Sequence, residues 1–303
     1  MSDATPLITV VVPTRDRPAA LARCLAALAA QEYPPERFEV IVVDDGGAQG
    51  AAAAAASSAG PLLARVLEQP HGGPARARNH GARAARGRLL AFTDDDCRPE
   101  AGWLARIEAA LAAHPGAMVG GRVTNLLTDN PFARASQLVT DIVYAHYNAR
   151  PERARFLASN NLAVSAEGFA AIGGFDPSFR IVACEDRDLC DRWTHDGRPL
   201  VYAEEAVVGH AHAMGLRGFV RQHFTYGRGA VHFHRLRARR ASGRMRDEVG
   251  FHADVGNWLL RPLRMRPRRD AATLFALLLV WQAVNVAGFL YESTVRTGYA
   301  GAR

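Results

Sequence analysis

Three aspartates stand in a row in residues 91–100, "AFTDDDCRPE", directly behind the apolar residues Leu89, Leu90, Ala91 and Phe92. Adjacent like charges repel, and such a cluster is costly unless something offsets it. Two carboxylates at the end of a buried strand suit a hard divalent cation, Mg²⁺ or Mn²⁺. Such ions prefer oxygen ligands and keep positions open for water and substrate phosphates. The plain alternative is an acidic turn that caps the helix after Pro99, but a cap needs one aspartate rather than three. A second acidic pair, Asp44 and Asp45 in "VVDDGG", follows another apolar run. There a carboxylate either accepts hydrogen bonds from a ribose or a base N–H or marks an ordinary glycine turn. A third group, "EDRDLCDR", holds Glu185 and Asp186. Paired carboxylates raise one pKa, which suits a general base; the alternative is a solvated helix face with carboxylate–arginine pairs.

The elements that must position these groups alternate. Residues 7–12 are a β-branched apolar run ended by Pro13, which predicts a buried strand. Pro18 opens a helix with Leu21, Leu25 and Leu28 at helical spacing. Residues 40–43 read as a second strand, 51–56 as a plain alanine helix and 64–67 as a third strand. After the break at "HGGP", residues 75–85 read as a helix, 89–93 as a strand that ends on the aspartates, and 101–113 as a helix. This alternation predicts an α/β fold with a mostly parallel sheet. In such sheets ligands bind outside the carboxyl ends of the strands, and both acidic clusters fall at that edge. Residues 118–124 read as a strand, and 132–147 fit helix or strand. "FLASNNLAVSAEGFAAIGGFD" reads as strand, helix and glycine turn, and "EDRDLCDRWTHDG" as an amphipathic helix capped by Gly197. From Leu216 the chain reads as helical and arginine-rich through Arg246, and no internal repeat is present.

Bulk properties exclude several classes. The 303 residues suffice for one large domain or two small ones. The formal charge of +7 invites a nucleic-acid reading. However, the chain contains no lysine, so its basic character reflects an arginine- and alanine-rich composition, and no nucleic-acid partner is expected. Cys24, Cys97, Cys184 and Cys190 form no Cys-x-x-Cys pair, which predicts free thiols rather than zinc ligands. The start "MSDATPLITVVVP" has no basic region followed by an apolar segment, which predicts a cytoplasmic chain without a signal peptide. There is no Gly-x-Gly-x-x-Gly after the first strand and no Gly-Lys-Ser/Thr loop. This disfavours nicotinamide dehydrogenases, Rossmann methyltransferases and P-loop enzymes.

The ordered motifs "VVVPTRDR", "IVVDDGG", "GGPARARNHGARAARGRLLAFTDDD" and "EDRDL" resemble family 2 glycosyltransferases of the GT-A fold, over roughly residues 7–229. The resemblance implies an inverting, non-processive transfer of a sugar from a nucleotide-diphosphate donor to a hydroxyl acceptor. It implies that Pro13, Thr14 and Arg15, with Asp45, hold the nucleotide base and ribose. Arg78, and more weakly Arg76, lie near the donor. Asp94 and Asp96 form the Asp-x-Asp pair that binds Mg²⁺ or Mn²⁺ on the diphosphate, with Asp95 between them. Asp186 is the implied general base and Glu185 the alternative. In "GHAHAMG", His210 and His212 either complete the metal shell or contact phosphate, as in relatives, or belong to a strand with one exposed face. In "RQHFTYGRG", Thr225 and Tyr226 stand where processive synthases carry Arg-Trp, which argues against a processive enzyme. Arg228 there either reaches the diphosphate or is a solvated loop arginine.

Residues 1–240 are expected to form the catalytic domain and residues 241–303 an arginine-rich segment with an apolar helix. Residues 271–291 carry no charge and are long enough to span a bilayer. The preceding arginines would keep the catalytic part at the inner face of the cell membrane, near an anionic surface. A helix packed on the catalytic domain, or lying in the membrane surface, is the alternative. The acceptor is expected to be a glycan, glycolipid or small molecule, with a role in cell-envelope glycan or glycolipid synthesis. Two rivals are a non-catalytic membrane-associated scaffold or degenerate transferase, and a sugar nucleotidyltransferase. The latter would need glycines after the first strand and catalytic lysines.

Overall fold

The short apolar runs of the N-terminal part become β1 (Ile8–Thr14), β2 (Phe38–Asp44), β3 (Ala64–Glu68) and β4 (Leu89–Phe92). They pair in parallel in the order β3-β2-β1-β4. The computed structural model describes residues 6–48, 64–179, 183–260 and 268–295. The alanine helix expected over residues 51–56 lies outside them. Strand alternation divides the core between two faces. Val10 and Val12 pack with Leu21, Leu25 and Leu28 of α1 (Pro18–Ala29). Val11 packs on the other face with Ala75 and Ala77 of α2 (Pro74–Ala84).

Pro13 does not end β1, contrary to expectation; the strand continues to Thr14. The carbonyl of Val11 accepts from Thr93 N–H on the β4 side, so Pro13 faces that same side two residues later. Pairing with β4 stops at Val11, so the missing proline N–H costs no ladder bond.

The sheet then becomes mixed. β5 (Cys97–Pro99) leads to α3 (Trp103–Ala113), β6 (Met118–Asn125) and α4 (Pro131–Tyr147). The ambiguous residues 132–147 are therefore helical. Asn130 accepts from the N–H groups of Phe132 and Ala133, and Pro131 occupies the first turn. β7 (Leu162–Ser165) runs antiparallel to β4 and β6. After α5 (Ala166–Ala171) and α6 (Glu185–His195), β8 (Leu200–His210) lies parallel to β6 and antiparallel to β5. The eight strands run in the order β3-β2-β1-β4-β7-β6-β8-β5.

The C-terminal part adds α7 (Leu216–Arg240), α8 (Arg246–Ala253) and α9 (Arg268–Thr294). The helical run expected from Leu216 to Arg246 is broken, because Ala241 adopts a left-handed conformation with φ of 57°. These helices share a core with α4 through Leu138, Ile142, Phe219, Leu274, Leu278 and Trp281. α9 crosses α7 at backbone contact. A side chain at Gly227 would strike the carbonyl of Asn285, and one at Gly288 would strike that of Phe224. Glu292, 1% exposed, accepts from Arg228 Nε at 2.8 Å and ties the two helices together.

Candidate active site

The parallel strands place their carboxyl ends side by side, so the turns after β1, β2 and β4 converge at one edge. The three aspartates leave β4 in three directions. Asp94 accepts from Arg78 at 2.7 Å and lines a cavity of about 550 Å³. Asp95 is fully buried beneath the turn after β1, where Thr14 Oγ1 donates to it at 2.6 Å and Arg17 pairs with it at 2.6 Å. Burial pushes its carboxyl up to about 6, with Arg17 and Thr14 opposing. Asp96 pairs with Arg17 at 2.8 Å and meets His210 Nε2 and His212 Nδ1, each at 3.2 Å.

The last arrangement depends on a short strand pairing. β5 begins one residue after Asp96 and runs antiparallel to β8, with Cys97 opposite His210. Ala211 N–H then bonds the Asp96 carbonyl at 2.9 Å. Residues more than a hundred positions apart thus become neighbours. Burial alone would raise the Asp96 pKa, but hydrogen bonds from His210 and His212 outweigh it and hold the carboxyl far below its usual value. One ligand atom from each of Asp96, His210 and His212 lies within 4.8 Å of the others. An oxygen and two imidazole nitrogens so placed fit a divalent cation. Asp94, expected as the second ligand, stands outside this trio because Arg78 holds it.

Arg78 is the hub between the strand edge and α6. It is 3% exposed, reaches Asp94 at 2.7 Å and Glu185 at 3.2 Å, and lies over the ring of Phe175. Burial disfavours its charge, but Asp94 and Glu185 more than restore it, and its pKa is raised. Glu185 is therefore buried and neutralised. Asp186 is partly accessible, lines the cavity and accepts the N–H of Arg187 at 2.8 Å. Burial, and then the Glu185 carboxylate beside it, raises the Asp186 pKa. Cys184, with φ of 67°, turns the chain into α6 and so aims both carboxylates. A left-handed non-glycine residue is uncommon and tends to mark a constrained site.

The nucleotide-side candidates are more heavily committed than their motifs imply. Thr14 gives its hydroxyl to Asp95, and Arg15 bonds His71 at 2.9 Å. Pro13 and Thr14 are buried in β1. Both oxygens of Asp45 are occupied. Gln69 and Gly72 N–H donate to one, while His71 and Gly73 N–H bond the other. Burial opposes these bonds, yet they prevail and lower its pKa. A carboxylate offers about four acceptor positions, and all four bonds of Asp45 organise the Gly72 and Gly73 turn that opens α2. Asp95 is sealed from any ligand. Arg76 is exposed on α2. Arg228, expected near a diphosphate, belongs to a helix and pairs with Glu292 outside the cavity lining.

Arg17 was not singled out by its motif, yet it neutralises two of the three aspartates. Its signal was present: an arginine immediately before a helix start opposes the helix dipole and calls for a nearby anion. Tyr147 and Arg187 also line the cavity and contact each other at 3.2 Å. Neither carries a sequence signal.

The model of the family described as "Glycosyl transferase family 2" matches residues 9–175. The chain belongs to glycosyl transferase family 2. The family match spans β1 to Phe175 and so contains the three aspartates and Arg78, while Glu185, Asp186, His210 and His212 lie beyond it. A pre-mycofactocin glycosyltransferase of Mycobacterium tuberculosis is 31% identical over 171 residues, 55% of this chain and 36% of that protein. The family 2 chain thus spans little more than a third of that relative. Glycosyltransferase AglE of Haloferax volcanii is 26% identical over 286 residues, 92% of each chain. Among solved structures, a mannosyltransferase from Pyrobaculum calidifontis in complex with GDP-Man and Mn²⁺ superposes with a TM-score of 0.67. It covers 96% of this chain and 88% of its own at 19% identity, a likeness of fold. The expected GT-A fold is thereby shown, with four of the seven strand pairings parallel.

Proposed function

We propose that this family 2 member is an inverting, non-processive glycosyltransferase that moves a sugar from a nucleotide-diphosphate donor to an acceptor hydroxyl. One observation carries the reading: a carboxylate suited to base catalysis, Asp186, and a cation-ready trio, Asp96, His210 and His212, line the same cavity or adjoin it. Asp94, Arg78 and Glu185 connect them through two ion pairs. A divalent cation held by the trio would neutralise charge on the leaving diphosphate. Two imidazoles in the shell favour Mn²⁺ over Mg²⁺, which prefers an all-oxygen octahedron. The solved neighbour with GDP-Man and Mn²⁺ supports the same class of donor and ion.

Asp186 takes the proton of the acceptor hydroxyl as its oxygen bonds the anomeric carbon. The bond from that carbon to the diphosphate breaks on the opposite face, and the diphosphate leaves with the electron pair. The raised pKa of Asp186 makes it a stronger base than an exposed aspartate. Glu185, neutralised by Arg78, is the poorer candidate. Arg78 holds Asp94 at the donor side and pairs with Glu185.

The proposal includes contact with an anionic membrane at the inner face of the cell membrane. The arginine-rich stretch "RPLRMRPRR" precedes the apolar part of α9 in the sequence. Over Asp270–Thr294 that helix is long and apolar enough to cross a bilayer, with a mean hydropathy of 1.9. Its close packing on α7 favours a helix that stays with the enzyme and lies at the surface.

The test is a screen of nucleotide-sugar donors with Mn²⁺, read as hydrolysis or transfer. Asp186→Asn is expected to keep nucleotide-diphosphate binding and lower turnover about 10²–10⁴-fold. Normal turnover in Asp186→Asn would remove Asp186 as the base.

A further inference from the structure

The cavity at Asp186 extends far beyond the space that a hydroxyl and a sugar need. At one end stand Asp94, Arg78, Glu185 and Asp186; at the other, α4, α8 and α9 contribute Val139, Val143, Phe251, Trp281, Val286 and Phe289. Its volume of about 550 Å³ is that of a complete small-molecule site. The lining is mostly apolar, and its valine, phenylalanine and tryptophan side chains suit hydrocarbon better than sugar hydroxyls, although Ser136, Gln137, Thr140 and Asn285 also reach the cavity.

The apolar end is continuous with an exposed apolar stripe. Val286 lines the cavity and is also 43% exposed. Phe275, Leu279 and Leu290 are 40%, 44% and 57% exposed, and with Val286 they recur at intervals of four, seven and four residues. That spacing places all four on one side of α9. Tyr226 of α7, also exposed, joins the cavity lining. The stripe and the cavity therefore meet at Val286, which offers a hydrocarbon chain an apolar point of entry.

We propose that the acceptor is an amphiphile drawn from a membrane, its hydroxyl-bearing head at Asp186 and its hydrocarbon chain between α4, α7 and α9. This rests on the functional reading above and names the substrate class for the same site. It also gives the outer face of α9 a purpose: the stripe rests on the bilayer, and the cavity opens where the acceptor's chain would emerge. The head reaches the base while the chain remains in an apolar environment throughout.

The experiment uses the full chain and alkyl maltosides below their micelle concentrations, with maltose as the chainless control. A maltoside brominated in its alkyl chain is expected to quench Trp281, which is 3% exposed and lines the cavity. Affinity should rise about tenfold from the octyl to the decyl chain, as two methylenes leave water, and maltose should bind far more weakly. Ala230→Phe, which fills the cavity from α7, should weaken quenching at least tenfold. Val286→Asp, at the partly exposed junction, should do the same with little demand on folding. Absent quenching, equal affinity for octyl and decyl chains, or quenching unchanged in both variants overturns the proposal, the last by showing adsorption on the outer stripe alone. Nucleotide-diphosphate binding with Mn²⁺, measured in the same samples, separates the two claims. Its loss with amphiphile binding intact refutes the transferase reading and upholds the amphiphile site; the reverse refutes the amphiphile site alone.

Discussion

At the scale of single residues, three adjacent aspartates do three different things. Asp94 faces the cavity, Asp95 is interior, and Asp96 gathers the histidines. The sequence showed that the cluster needed compensation; Arg78, His210 and His212 were named through the family resemblance, with no partner aspartate assigned to the histidines individually, and Arg17 was missed. Asp95 illustrates the limit. The buried Asp95 carboxylate braces the turn after β1 through Thr14 and half-exposed Arg17, so Asp95→Asn should lower stability by about 1–3 kcal/mol in urea unfolding. It should alter Mn²⁺-dependent nucleotide binding far less than Asp96→Ala does. Asp186 makes a prediction about pH. Its folded-state pKa is raised by burial and by Glu185, and the proposed base is the deprotonated form. The acidic limb of the kcat profile should therefore lie above that of an ordinary aspartate. The same shift works against the fold, because stability present below the unfolded-state pKa is lost as pH rises through the raised value. Asp186→Asn should thus be more stable than the parent, by a margin that grows with pH across that window and then levels. A margin independent of pH would contradict the assigned shift.

At the scale of elements, the first four strands were legible because a fully buried parallel strand is a short apolar run bounded by turn residues. β5 was not legible, since a strand reading "CRP" has neither length nor periodicity. Yet this strand pairs with β8 and brings Asp96 to His210. α4 was ambiguous because its apolar positions serve a core made by distant helices. The crossing of α7 and α9 was also hidden, for it depends on two glycines that look unremarkable singly. Gly288→Ala would put a methyl group against the carbonyl of Phe224. The expected cost is about 1–3 kcal/mol or a displaced α9, seen as a lower melting temperature and greater proteolysis between α8 and α9. Unchanged values would show that the helices do not pack at backbone distance.

At the scale of the whole molecule, one sheet edge supplies one wall of the cavity and a layer of C-terminal helices supplies the other. The sequence revealed the α/β class and the acidic edge, and it read the C-terminal apolar helix as an anchor or a packed helix. The structure gives that helix a packed side on α7 and an exposed apolar side. Arg228 was misplaced because "GRG" reads as a loop, whereas the long α7 runs through it and Glu292 claims the guanidinium. The proposed function requires that the edge bind a nucleotide diphosphate through a cation. The most direct measurement is calorimetric titration of UDP and GDP, with and without Mn²⁺, into the parent chain and Asp96→Ala. The proposed function predicts binding of at least one nucleotide that requires Mn²⁺ and disappears in Asp96→Ala. Binding that is absent, indifferent to Mn²⁺ or retained in Asp96→Ala would contradict it.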